Sequence, residues 1–340
     1  MRITKPLWDK EFQCLAGDCP DTCCAGWEIP VDEESVQRFS SMEGVLGERL
    51  RQALVMVEGE VQFARKEGRC VLLNKENLCD LYAACGEEAL CRTCHLHPRF
   101  VAQYGGRREI MPGLSCPAWV QTYLMREEPV TFITEETDEE ITDYTDIDGM
   151  LFFQIIKARE KALALVQERS LSIEERLRQL LQMAQELDGE KEDTCSQNNV
   201  LAAYIEKLGS LEILTPAWEE LVKKHDTKHK GLSDSASPWE GFRGAVAEKL
   251  LVYDLFRFML QGVYTGRVLP WVKMAVFHVL TVLELGKHCE TKENLCEVIR
   301  LYSKEIEHCA ENQAALYRSF CRRSGRYSVA GVLRAMEELG

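Results

Sequence analysis

From Gly149 onward, apolar residues recur at helical spacing, and capping signals punctuate the run. GMLFFQIIKAREKALALVQER is the first such stretch. Ser172-Ile173-Glu174-Glu175 is a capping box opening ERLRQLLQMAQEL, which should stop near Gly189. Thr215-Pro216 sets a cap and an N1 proline before AWEELVKKH, and Ser237-Pro238-Trp239-Glu240 repeats that grammar before FRGAVAEKLLVYDLFRFMLQG. Pro270 opens an apolar helix to Leu285, ENLCEVIRLYSKEIEHCAEN follows, and a last helix runs from about Val329 to Leu339. The pattern predicts roughly seven or eight helices and no strand in this part.

Residues 1–125 read differently. Turn formers are frequent, among them Gly17-Asp18, Gly26, Gly68, Gly105-Gly106 and Pro112-Gly113. One helical stretch is predicted near Asp32–Glu58, with Asp32 as cap. The expected fold is mainly α: an irregular cysteine-rich N-terminal module (1–125) followed by an all-α helical domain (126–340). So irregular a module needs staples, and bound metal is the obvious one.

Composition sharpens this. The 340 residues carry a net charge of −14 and 15 Cys. The acidic balance argues against gripping a phosphate backbone, so no nucleic acid is expected as partner. Trp271–Leu285, the longest apolar stretch, is broken by Lys273, His278 and Glu284 and is too short for a bilayer. The opening MRITKPLWDKEFQC lacks the apolar core of a secretory signal. The expectation is a cytoplasmic protein without a membrane partner, in which cysteines stay reduced. Residues 127–156, with ten acidic side chains and no Lys or Arg, read either as a solvated connection or as a negative rim drawing in a lysine substrate.

Ten of the cysteines fall before residue 117: Cys14, Cys19, Cys23, Cys24, Cys70, Cys79, Cys85, Cys91, Cys94 and Cys116. Thiolates are soft ligands for zinc or iron–sulfur iron. Cys91-x2-Cys94 has knuckle spacing, and Cys70-x8-Cys79 reads as a hairpin with a ligand at each end. The bland alternative is a set of reduced, buried thiols. Cys195, Cys289, Cys296, Cys309 and Cys321 read as core or incidental, and His278 as a core histidine. His225 and His229 read as a frayed polar end. His95 and His97 alternate about Leu96, so in an extended segment only one would face a site. No G-x-G-x-x-G follows a strand, and no radical-type C-x3-C-x2-C, P-loop, G-x-S-x-G or H-E-x-x-H occurs.

The segments Phe12–Asp32, Cys70-VLLN…LCDLY…TCHLHPR and GLSCPAW (113–119) resemble the flagellin lysine-N-methylase family, with a looser similarity to the CxxCxxCC zinc- or iron-chelating family. The resemblance implies an S-adenosylmethionine-dependent protein lysine N-methyltransferase acting on flagellin, with an associated iron–sulfur cluster of 4Fe–4S type, or zinc in its place. It maps the metal ligands onto Cys14, Cys19, Cys23, Cys24, Cys70, Cys79, Cys94 and Cys116, leaving Cys85 and Cys91 outside the pattern. Arg99, after Pro98, is the candidate for holding the S-adenosylmethionine carboxylate, or simply for tying down a loop. Catalytic residues stay unassigned. The expected pocket is the seam between module and helical domain, with Glu135, Glu136 and Asp138 at its rim. Two other readings are a non-enzymatic zinc- or iron-binding module with a helical docking domain, and a thiol sensor using Cys85, Cys91 and Cys94.

Overall fold

The computed structural model describes residues 1–141, 147–191, 194–225 and 241–339. Ser237 and His229, singled out above, lie outside the described residues. Strand β1 (Arg2–Pro6) opens the chain, and helices α1 (Glu33–Ser41) and α2 (Gly44–Ala53) follow a long cysteine loop. Two ribbons come next, β2 (Leu54–Val57) with β3 (Glu60–Phe63) and β4 (Arg65–Lys66) with β5 (Arg69–Cys70). Short helices α3 (Asp80–Cys85) and α4 (Arg92–Leu96) lead to the hairpin β6 (Arg99–Tyr104) and β7 (Arg107–Pro112). Helix α5 (Pro117–Leu124) and strand β8 (Phe132–Glu136) close this part.

The rest is helical, as the pattern predicts: α6 (Gly149–Val166), α7 (Ile173–Leu187), α8 (Val200–Gly209), α9 (Pro216–Lys224) and α10 (Gly241–Phe258). Then come α11 (Gly262–Thr265), α12 (Leu269–Leu285), α13 (Lys292–Ile306), α14 (Ala310–Phe320) and α15 (Val329–Leu339). The caps fall where their chemistry puts them. Ser172 Oγ accepts from Glu175 N, Thr215 Oγ1 from Trp218 N, and Asp32 from Ser35 N.

Three departures have local causes. The stretch Asp32–Glu58 is two helices and a strand: Gly44 turns left-handed at φ +82 between the helices, and Leu54–Val57 pairs with Glu60–Phe63 around a left-handed Glu58-Gly59 turn. ENLCEVIRLYSKEIEHCAEN breaks after Ile306, where Asn312 Nδ2 donates to the carbonyls of Glu305 and Glu212 (both 2.9 Å). Residues 126–148 hold a strand as well. β8 joins a four-stranded sheet ordered β6-β7-β1-β8, antiparallel to β1, while β1 runs parallel to β7.

Two hydrophobic cores result. The smaller gathers Ile29, Val31, Phe39, Leu50, Phe63, Leu72 and Leu81 with Cys70 and Cys91. The larger spans the helices and takes in Trp8, Tyr104, Trp119 and Tyr123, so segments within 1–125 feed both. Helix α12 is its axis, buried almost all round, with Val272, Val276, Phe277, Val279 and Leu280 each at 0% exposure. His278 is the core histidine expected, Nδ1 2.8 Å from Asp254 and stacked on Tyr302. His225 is better ordered than a frayed end, its Nε2 3.0 Å from Glu284.

The sheet is fastened to the helices by a buried ion pair. Arg159 on α6 donates to Glu109 on β7 (2.7 Å) and to Phe256 O (2.9 Å), with both charged side chains about 95% buried. Removing Arg159 leaves Glu109 with Arg107 (3.1 Å) as its one remaining ion-pair partner among the described residues, and removing Glu109 leaves the Arg159 guanidinium buried without its carboxylate. Glu109→Ala should therefore lower the unfolding free energy by about 3–5 kcal/mol. Arg159→Met with Glu109→Leu should cost less than that single change, as read from urea midpoints.

Candidate metal centre

The cysteine loops have little regular structure, so side chains and backbone bridges hold them. Thr22 N donates to Asp21 Oδ1 (2.8 Å), Cys24 N to Thr22 Oγ1 (3.2 Å) and Trp27 Nε1 to Cys23 O (2.8 Å). Cys70 N donates to Cys24 O (2.8 Å) and Gly26 N to Gly68 O (2.9 Å), which zips the double cysteine onto β5. Gly26 sits at φ +89, which favours glycine there. Asn74 Oδ1 accepts from Glu76 N and Leu78 N, fixing the turn before Cys79.

Three cysteines sit at N-cap positions: Cys79 before α3, Cys91 before α4 and Cys116 before α5, where Pro117 takes the first helical place. None makes a capping hydrogen bond, but nearby first-turn amides favour the charged sulfur, those of Leu81 and Tyr82 at Cys79 and of Ala118 and Trp119 at Cys116. Such donors favour a thiolate. Burial opposes them and wins in the metal-free protein, pushing the Cys70 and Cys116 thiols up to about 11. Cys94 shares a hydrogen bond with Cys91, which lowers Cys91 and, with burial, raises Cys94. Any metal taken up here must displace protons.

The loops converge on one cavity of about 360 Å³. Cys14, Cys19, Cys23, Cys24, Cys79, Cys94 and Cys116 line it, seven of the eight positions expected from the sequence. Cys70 lies just behind, in the smaller core, within electrostatic reach of Cys24, Cys79 and Cys91. Cys85 is exposed and outside the lining, while Cys91 is fully buried against Cys94. Among the described residues no three of these sulfurs approach within 4.8 Å of one another. Arg99 is outside the lining too; its Nε donates to Asp9 Oδ1 (2.8 Å) and its guanidinium lies over Phe12.

His95 and His97 both line the cavity, because Arg92–Leu96 is helical and the alternation of an extended segment does not apply. His97 stacks on Trp27, and its desolvation, helped by the charges near His308 and Lys304, pushes its imidazole down to about 4. The opposite wall belongs to the helical part: Leu214, Thr215, Lys304 and His308. Asp21 joins the walls, its Oδ2 accepting from Arg300 (2.5 Å) and Lys304 (2.6 Å) on one face of α13. The seam expected from the sequence is thus the cavity's place, but the acidic rim is not there. No described residue of 127–148 lines it; Glu135 pairs with Lys5, Glu136 with Arg2 and Glu139 with Arg108 along the sheet. Lys304 and His308 were missed by sequence reasoning, which read their segment as one continuous helix.

Compared with known proteins, the chain is similar to the flagellar biosynthetic protein FliU of Salmonella muenchen, 26% identical over 122 residues, 34% of this chain and 72% of that protein. It is 25% identical over 142 residues to lysine-N-methylases of Salmonella typhimurium and Salmonella choleraesuis. That stretch is 40% of this chain and spans 35% of the length of each of those relatives. No family profile and no solved structure matches the chain. These similarities support a distant relation to the lysine-N-methylases. Among the described residues, no helix is long and apolar enough to cross a membrane.

Asp21→Ala removes two charge-assisted hydrogen bonds at a largely buried junction, each worth roughly 1.5–3 kcal/mol. Thiol-reactive probes should then label Cys19 and Cys23 at least severalfold faster, with little change at Cys85. His97, unfolded, takes its proton near ~6.5, but folded only near 4. Between those values the unfolded chain holds the extra proton, so stability rises with pH across the window. The contribution is about 1–3 kcal/mol, and His97→Asn should flatten the difference between urea midpoints measured near pH 4.5 and pH 7.

Proposed function

We propose that the chain is a protein-lysine N-methyltransferase that moves methyl groups from S-adenosylmethionine to lysines of flagellin, with an iron–sulfur cluster held by its cavity cysteines. The observation that carries this reading is the convergence of seven cysteines on one cavity. The similarity to lysine-N-methylases gives it its direction. The donor set fits such a cluster: soft sulfur ligands, two of them at helix N-termini whose first-turn amides lower the thiol's proton affinity without making a capping hydrogen bond. A single tetrahedral zinc, about 2.3 Å from each sulfur, needs thiolates roughly 3.8 Å apart. Among the described residues no three cavity sulfurs lie that close together, so a mononuclear site would have to draw the loops in. Once bound, the cluster supplies a rigid cross-link between loops that lack regular structure. In this reading it organises the fold.

The chain's own residues then handle the substrates. A protonated lysine has no lone pair, so its amine must lose a proton before it attacks the methyl carbon, and the rate rests on aligning nitrogen, carbon and sulfur. Trp27 and Tyr82 offer aromatic faces to a sulfonium, and Leu78, Leu90 and Leu214 an apolar path for an aliphatic stem. Burial itself lowers an amine's proton affinity. Lys249 illustrates this within the protein: enclosed beneath Trp8, with Nζ donating to Glu128 O, it is pushed down to about 8 by desolvation.

Anaerobically purified protein should be brown and carry about four irons and four sulfides per chain. It should transfer labelled methyl groups from S-adenosylmethionine to flagellin lysines. Cys94→Ser should cut the iron content severalfold, and Cys85→Ser should leave it unchanged. Stoichiometric zinc without colour or transfer would favour the non-enzymatic metal-binding module, and disulfides without metal the thiol sensor.

A further inference from the structure

On the wall facing the cysteines, Ser115 Oγ lies 2.8 Å from His308 Nε2, and both residues line the cavity. Ser115 precedes Cys116 at the start of α5, and His308 sits in the break between α13 and α14. The pair is therefore assembled only by the tertiary fold, across 193 residues of sequence. The imidazole packs against Phe100 (centroids 5.1 Å apart), and the Arg257 guanidinium of α10 lies over that same ring, 3.4 Å from its centroid. This stack holds one edge of the imidazole toward the cavity. A serine hydroxyl bonded to an imidazole nitrogen in an accessible cavity is an arrangement for moving a proton.

Resting on the methylase reading above, we propose that Ser115 and His308 form the proton acceptor for the substrate's amine. The lysine ammonium donates to Ser115 Oγ, and the hydroxyl proton passes to His308 Nε2, leaving a neutral amine and an imidazolium. The amine's lone pair then forms the N–C bond as the C–S bond of S-adenosylmethionine breaks, its electron pair staying on sulfur as a thioether. The imidazolium returns its proton to water through the open mouth of the cavity.

The surroundings suit this role. The titratable and charged groups facing His308 are Arg257 of α10, Lys304 and Glu307 at the end of α13, and His97 across the cavity. Desolvation, with the positive charges of Arg257 and Lys304, holds the imidazole below its ordinary value against the pull of Glu307, so it rests neutral at neutral pH with a lone pair free for the hydroxyl, and proton transfer to it relies on the enclosed amine's own loss of proton affinity. Glu307 itself is engaged with Tyr253 (2.5 Å) and Arg257 (3.5 Å). Lys304 is tied to Asp21 (2.6 Å), which steers it away from the incoming cation.

The test is the pH–rate profile of kcat/KM for methyl transfer to flagellin by the cluster-loaded wild type, His308→Gln, His308→Ala and Ser115→Ala, with iron content and thermal midpoint measured on each. Near neutral pH the His308 variants should lose about 10²-fold or more. The deficit should shrink as pH approaches ~10, where free lysine sheds its own proton. Added imidazole should restore part of the His308→Ala rate, and iron content should not change. A loss equal at every pH and unmoved by imidazole, or no loss, would overturn the proton role while leaving the methylase reading intact. Wild-type protein that transfers no methyl group would overturn both.

Discussion

Asp21 is the carboxylate on which the site's geometry rests. The loop from Cys14 to Gly26 has only a short 3₁₀ turn of its own, and its sulfurs would be free to splay. It is instead fastened on two sides. Backbone bonds from Cys70 and to Gly68 tie its end to β5, and Asp21 ties its middle to Arg300 and Lys304 of α13. Burial alone would raise Asp21, but the two cations outweigh it and hold the carboxyl below its usual range. A charge-assisted pair in this half-buried position is strong because little water competes for it. It joins the Ser115–His308 and Phe100–His308 contacts in holding the cysteine loops to the helical wall.

The thiols stand between opposing effects. Burial favours their protonated form, while the first-turn amides of α3 and α5 favour the charged form at Cys79 and Cys116. In the metal-free state burial prevails at Cys70, Cys79 and Cys116, which keeps those sulfurs protonated and uncharged. A bound cation would reverse the balance and make those amides stabilising. The same walls carry groups for a substrate: aromatic and aliphatic faces near the sulfurs, and neutral imidazoles at His97 and His308. One cavity thus brings cysteine sulfurs, aromatic faces and neutral imidazoles together.

The acidic run illustrates how a charge pattern acquires a meaning only in three dimensions. Glu135 and Glu136 lie on β8, the edge strand of the sheet, where Glu135 pairs diagonally with Lys5 and Glu136 directly with Arg2 of β1. Charges on an edge strand discourage another chain from pairing with it. Ion pairs this exposed add little to stability. Their place on the sheet edge keeps them off the cavity wall.

Much of the fold was legible in the sequence because helices are local objects. Capping and apolar periodicity act over a few residues, so Ser172, Thr215, Pro270 and Asp32 marked their helix starts directly. The cysteines were equally legible as a class, since so many soft ligands crowded into one segment point to a shared site, and seven of the expected positions do share a cavity. Strand β8 was not legible, because its partner β1 is about 130 residues away and its polar composition hides it. The helical turn that brings His95 and His97 to one site was too short to leave a periodic trace. The wall formed by Lys304, His308 and Ser115 depends on where α13 ends and on what packs against it. Local periodicity carries no record of such contacts, and only the folded chain decides them.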